Sequence, residues 1–454
     1  WLLLHGAAHG AVGEDGHDLV AGSDVGSLAH QRAVGPSGEG PAPGEGTGRV
    51  DGVARQMTTT LRRPARPSVL AAAKDFSCSI VSAENELVGA AEGLPVHVIG
   101  SEALAEAMTE LHPDLREGDA FLHNDPYLGN THAADHTIVV PVFFEGEHVF
   151  TTCAKAHQAD CGNALPSTYM PSAIDVYAEG AINFPCVKVQ SDYRDVDDVI
   201  RMAKTRIRVP EQWYGDYLAS LGAARVGERA LKQLCEKYGV DTVRRWIAEW
   251  LNYSEWRMIQ AIRGLPSGEW TGSTFHDPFP GMPEEGLPLN VAVRIDAESA
   301  RVELDLRDNP DSTPNGMNQS KTTAINNAIA GLCFSIEEVP HNSGSFRRID
   351  VQLRENCVAG IPVHPTSCSM ATANVGSRII NMTQATFAEI GERYGLAEGA
   401  NGYPPKLAVV SGAADRPRGQ AERQNREPHH AREIRAGFAG ADSAPPARSC
   451  PRRK

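Results

Sequence analysis

One segment constrains this chain more than any other: THAADHTIVVPVFFEGEHVFTTCAKAHQAD, residues 131–160. β-Branched and aromatic residues run on both sides of Glu145-Gly146-Glu147, the pattern of two antiparallel strands joined by a short loop. Each foot of this hairpin carries His-x-x-Asp, His132 with Asp135 and His157 with Asp160. Side chains alternate faces along a strand, so register decides which feet can meet. A two-residue loop pairs Phe144 with Glu147, sets Asp135 opposite Ala156 and turns His157 to the other face. A three-residue loop pairs Phe144 with His148 and sets Asp135 opposite His157, where both reach one ion without a bulge. Pro141 removes a ladder donor, so its strand lies at a sheet edge or carries a bulge. Both registers remain open at this level.

His132 and Asp135 fall on opposite faces of a strand but on one face of a helical turn. A turn at NTHAAD, between Gly129 and the first strand, brings the two together. With His157 arriving from the neighbouring strand they form a two-His, one-carboxylate set, which leaves positions open for water or substrate on Zn, Mn or Fe. Asp160 is a further ligand or an acceptor that orients a ligating imidazole. The plainer alternative is that these are hydrogen-bonded structural histidines at strand ends.

At 454 residues the chain is long enough for two or three cores. Its formal charge of −14 argues against nucleic acid as a partner, because phosphate binding needs a basic surface. No apolar run reaches the length of a membrane-spanning helix, and WLLL is too short for a signal-peptide core. The nine cysteines include no C-x-x-C, so the expectation is a reduced, cytoplasmic, soluble protein.

The expected fold class is mixed multi-domain α+β, in three parts between two arms. Residues 61–200 read as a metal-site α+β domain, 201–266 as a helical segment and 267–412 as a second α+β unit. Within the first, SEALAEAMTELHP has a Ser at the cap position and apolar residues at helical spacing. Residues 1–60 lack periodicity and read as a disordered or out-of-frame arm. Residues 413–454 carry nine arginines but two large apolar residues, and read as a disordered tail or a translation out of frame.

The segments GDAFLHNDPYLGNTHAADHTIVVPVFFEGEHVF, KAHQADCGNALPSTYMPSAIDVYAEG and FPCVKV together resemble the hydantoinase B/5-oxoprolinase family, from about residue 61 to about 405. That family includes the large subunits of acetone and acetophenone carboxylases. The resemblance implies a catalytic divalent metal held by His132, Asp135 and His157. KDFSCS resembles the family's R-D-F-S-C and makes Asp75 a fourth ligand. It also implies a hydantoinase A-type partner that uses ATP to phosphorylate a small-molecule substrate, after which the metal-bearing subunit acts on it. The chain has no G-x-x-x-x-G-K-[ST] phosphate loop of its own, as a nucleotide on the partner would require. A cyclic-amide hydrolase is the leading expectation; a ketone carboxylase subunit and a truncated, inactive relative are the alternatives. Where the family often has G-N-V-E-T-S, this chain has ATANVGSRI at residues 371–379, which keeps Asn374 and puts Gly376 in place of the acid.

Overall fold

The computed structural model describes residues 47–62, 75–91, 97, 99–333, 335–336, 339–391 and 394. All of them fall within one unit, Trp1–Ala400. The expected tail, 413–454, and the first part of the expected arm lie outside the described residues.

The first sheet contains the hairpin. Its strands are β1 (Phe76–Ser82), β2 (Leu87–Ala91), β3 (Ala120–His123), β4 (Asp135–Phe144), β5 (Glu147–His157), β6 (Val187–Ser191) and β7 (Arg194–Asp195). They lie in the order β2-β1-β5-β4-β3-β6-β7, and every pairing is antiparallel. β4 is thus central, not an edge strand, and the bulge alternative for Pro141 is the one realised. The turn is the two-residue Glu145-Gly146, both at positive φ, and Phe144 pairs with Glu147. The register then shifts between Val142 and Phe143, so Val149 stands unpaired and Asp135 comes opposite His157. Neither simple register holds: a tight turn and a bulge together produce the pairing that a three-residue loop would give.

Helices cover both faces of this sheet. α1 (Thr47–Arg62) and α2 (Ser101–Leu111) precede β3, and the short α3 (Val176–Glu179) follows β5. α4 (Asp197–Arg206), α5 (Pro210–Tyr238) and α6 (Val240–Arg263) make up the expected helical segment. α1 corrects the reading of residues 1–60 as an arm: Val50, Val53, Ala54, Met57 and Leu61 are buried in the core under α5. The VDGVARQM stretch has few large apolar residues, which hid its helical stripe. α5 starts with Pro210 in its first turn and stops at Gly239. It approaches β5 closely through Gly227, where a Cβ would lie 2.5 Å from Met57 Sδ and 2.9 Å from Thr152 Cγ2. The helical segment is therefore a layer on the first sheet. In α2, Gly100 holds the cap position, and the Ser101 hydroxyl bonds to Ser79 at 2.8 Å instead of capping the helix.

The second sheet has strands β8 (Gly268–His276), β9 (Leu287–Asp296), β10 (Arg301–Asp305) and β11 (Ile349–Gln352), in the order β11-β10-β9-β8. Its apolar–polar alternation buries one face, as in β9, where every second residue from Leu287 is in the core. α7 (Lys321–Cys333) and α9 (Val375–Ala388) pack on that side, with the short α8 (Ser343–Phe346) between them in sequence. The side-chain nitrogens of the polar intrusions in α7 find acceptors: Asn326 Nδ2 donates to Ile99 O at 2.7 Å, and Asn327 Nδ2 to Gln319 Oε1 at 2.9 Å. A Cβ on Gly376 would lie 2.4 Å from Asn327 Nδ2, so the family's acidic residue has no room there while Asn327 holds this position. No helix among the described residues is long and apolar enough to cross a membrane. The eight described cysteines are all free and buried.

Candidate metal centre

Strand alternation sorts the hairpin into two faces. Ile138, Val140, Ala154 and Ala156 join the core beneath α1, α5 and α6, while Val139 and Cys153 meet α2 on the opposite side. Asp135, Thr137, Lys155 and His157 share parity with Val139 and Cys153 and therefore belong to the α2 side. β1 extends the same row. Phe76 pairs with Ala156, and His157 N donates to Asp75 O at 3.1 Å. Asp75, just ahead of β1, consequently stands beside His157 on β5 and Asp135 on β4.

The first foot closes on the row through a turn, in which Asp135 N donates to His132 O at 3.1 Å. Asn130 fastens it, its Nδ2 donating to His132 O at 2.8 Å and Asp135 O at 2.9 Å. His132 Nε2 then lies 3.1 Å from Asp135 Oδ1, His157 Nδ1 lies 3.0 Å from that same oxygen, and the two nitrogens are 3.3 Å apart. All three side chains are almost wholly buried.

The outer nitrogens decide what these atoms can be. His132 Nδ1 lies 2.9 Å from the carbonyl of Ser369, which can only accept, so Nδ1 carries the proton. The neutral ring then presents a lone pair at Nε2. His157 Nε2 lies 3.0 Å from the Thr168 hydroxyl, which accepts a hydrogen bond when Nδ1 is the second lone pair and donates one when Nδ1 carries the proton toward Asp135. In the first of these states two lone pairs and a carboxylate oxygen at 3.0–3.3 Å repel one another unless a cation lies between them. Metal bonds of ~2.0–2.2 Å set neighbouring ligand atoms ~3.0–3.6 Å apart at octahedral or tetrahedral angles. The residues present fit a divalent ion. Tyr169 lies against both rings, with centroids 5.5 Å from His132 and 5.2 Å from His157.

Burial opposes ionisation of Asp135, but the neighbouring His132 and His97 and, when their inward nitrogens carry protons, hydrogen bonds from His132 and His157 outweigh it and hold its carboxyl well below the usual range. Thr131 Oγ1 also donates to Asp135 Oδ2. Asp75, expected as a fourth ligand, turns Oδ2 to within 3.8 Å of His157 Nδ1. Asp160 departs from its expected role of orienting an imidazole. It accepts from Arg208 N at 2.6 Å, Arg208 Nη1 at 3.0 Å and Gly162 N at 3.0 Å, tying the second foot to the α4–α5 junction.

Other contributors escaped the sequence reading. His97 Nε2 lies 3.2 Å from Asp135 Oδ2 and 3.3 Å from Asp75 Oδ1. It sits alone in GLPVHVIG, where no spacing marks it. Ser369 and Tyr169 arrive from remote loops. Lys155 carried a usable signal, a charge at an inward position between two core alanines. Burial lowers its pKa to about 8 against the pull of Asp135, Cys153 and Glu102. Behind His132, Ser367 Oγ donates to the buried Glu179 at 2.7 Å, which braces the loop holding Ser369.

The profile of the hydantoinase B/oxoprolinase family matches residues 47–444. The chain belongs to this family. The match is wider than the resemblance at both ends, taking in α1 and most of the expected tail. The beta subunit of caprolactamase from Pseudomonas jessenii is 30% identical over 81% of this chain and 66% of its own length. The delta subunit of acetophenone carboxylase from Aromatoleum aromaticum is 27% identical over 68% of this chain and 46% of its own. This hydantoinase B family chain thus spans less than two thirds of either relative. The crystal structure of the ATP-dependent caprolactamase from Pseudomonas jessenii matches with a TM-score of 0.68 and 28% identity, over 76% of this chain and 60% of that one.

Proposed function

We propose that the chain is the metal-bearing part of an ATP-dependent cyclic-amide hydrolase, with His132, Asp135 and His157 as metal ligands and Asp75 beside them. The observation that carries this reading is the convergence of two imidazole nitrogens and one carboxylate oxygen at 3.0–3.3 Å, all buried. Family membership and the likeness to a caprolactamase subunit support the choice of substrate class. ATP belongs to a hydantoinase A-type partner in this reading, consistent with the lack of a phosphate loop within these residues.

A bound Zn, Mn or Fe ion would supply a Lewis acid that polarises an oxygen or acidifies a water. The chain's own groups do the rest. The Ser369 carbonyl and Thr168 hydroxyl hold the two ring orientations, and with a proton on each outer nitrogen the inward nitrogens are free to face the ion. Asp135 remains a carboxylate across the neutral range. Tyr169 shields the rings from one side.

A second reading, a subunit of a ketone carboxylase, is favoured by the acetophenone carboxylase relative. Co-expression with a hydantoinase A-type subunit separates the two. The hydrolase reading expects ATP-dependent opening of a lactam, hydantoin or 5-oxoproline ring without bicarbonate. Ketone consumption that requires bicarbonate, with no amide cleavage, overturns it. An absence of both activities in a complex that binds metal favours the inactive-relative alternative.

A further inference from the structure

We propose that the outer surface of one wall of the metal centre is the seat of the ATP-bearing partner subunit. This rests on the reading in which a hydantoinase A-type partner phosphorylates the substrate. The wall is built from residues 161–180, which include α3, and residues 357–370. Its inner side touches the two candidate imidazole ligands through Thr168, Tyr169 and Ser369. Its outer side carries Leu165, Ile174, Tyr177 and Val363, which are between 46% and 72% exposed.

Composition and bracing set this surface apart. Nine large apolar side chains are strongly exposed among the described residues, and four of them are on this wall. Apolar residues scattered singly over a surface need no explanation, but a group on one face marks a contact. The two segments hold only two residues of the Asp, Glu, Lys and Arg types, Asp175 and Glu179, in a chain that is 22% charged. Glu179 is buried, and Asp175 caps α3 by accepting from Ala178 N at 2.7 Å. Depletion of charge around aromatic and aliphatic side chains is the composition of an interface core. The wall is also preformed. Val176 N donates to Pro365 O at 2.9 Å, Ala164 N to Glu179 O at 2.8 Å, and the Tyr177 ring meets His364 edge-on at 6.0 Å. A surface already ordered loses less entropy when a partner binds.

The occupant follows from what lies behind the wall. A phosphorylated cyclic amide is lost to water if it crosses bulk solvent, so its passage to the metal centre has to be closed. The subunit that makes it must seal against the rim of this centre, and the wall offers an apolar, uncharged face there. A second copy of this chain would cover wall with wall and bring no nucleotide.

The test co-expresses the full chain with a tagged hydantoinase A-type subunit and measures the chain recovered per tagged subunit. Tyr177→Asp and Leu165→Asp should each lower that recovery about tenfold or more, because each places a charge in an apolar contact. Leu218→Asp, at a side chain 45% exposed on α5, should leave it unchanged. Circular dichroism and metal content of all three variants should match the parent. Hydrogen exchange reads the same question without a variant: residues 161–180 and 357–370 should exchange more slowly in the complex than in the chain alone. Undiminished recovery of both wall variants, or no added protection of the wall, overturns this surface and leaves the partner reading intact. A dimer of the chain alone that both variants dissociate makes a second copy the occupant and also overturns it. Failure of the folded parent to co-purify overturns the partner reading and the surface together.

Discussion

The two faces of one hairpin foot have opposite fates. Asp135 and His136 are adjacent, yet Asp135 enters the polar row and His136 enters the core beneath α5. There His136 Nδ1 accepts from Trp213 Nε1 at 3.1 Å, and its ring meets Phe184 edge-on. Burial pushes its pKa down to about 3, and it stays neutral because ionising it there is costly. Across the strand, burial is as complete, but partners hold Asp135 ionised. Burial alone therefore does not predict charge state; what faces the group does.

Removing Val149 separates the bulge from the pairing around it. The bulge would vanish, Phe144 would still pair with Glu147 and Asp135 with His157, and no residue from Phe150 to His157 would change face. The loss of one buried Val should cost about 1.5–3 kcal/mol in denaturant melts, with metal content as in the parent. Loss of metal from the folded deletion variant would mean that the bulge itself, and not the register alone, positions the site. His132→Ala or His157→Ala should reduce bound transition metal to background while the fold persists. Equal metal content in parent and variants would break the metal reading of the polar face.

The core face has its own test in pH. Because the folded pKa of His136 lies below its unfolded value near 6.5, its contribution is fully present above that value and declines as pH falls toward about 3. Chemical denaturation should show parent stability dropping by about 2–4 kcal/mol across this window from this group, and His136→Gln should drop less. The two feet differ too. Asp160→Asn should leave metal content unchanged and lower stability by about 1–3 kcal/mol, through the weakened bonds to Arg208. Loss of metal in that variant would restore Asp160 to the site. Smallest is Trp213→Phe, which removes one buried hydrogen bond and should cost about 1 kcal/mol in thermal or denaturant melts.

Much of the hairpin was legible because β-branched and aromatic runs around a glycine turn have few other solutions. The His-x-x-Asp turn was legible for a similar local reason, since three-residue spacing fits a turn and not a strand face. Asp75 came from likeness to a family and not from any local pattern. α1 was missed because its buried stripe is built from Val, Ala and Met among polar residues. His97 was missed because its partners, Asp75 ahead of β1 and Asp135 at the start of β4, are remote from it in sequence. Asp160 was misread because its spacing copies that of Asp135, while its actual partner lies at Arg208.

What the chain determined by itself was periodic: strand alternation, turn chemistry, helical spacing and a phosphate loop left out. These follow from dihedral and side-chain geometry within a few residues. Tertiary structure alone decided the register, because the bulge at Val149 reflects how β5 packs beneath α5 and beside β1. It also decided the protonation of the centre, since the Ser369 carbonyl that sets the His132 tautomer comes from 237 residues away. Electrostatics at a buried site depends on every group that faces it, and proximity in sequence does not supply that list.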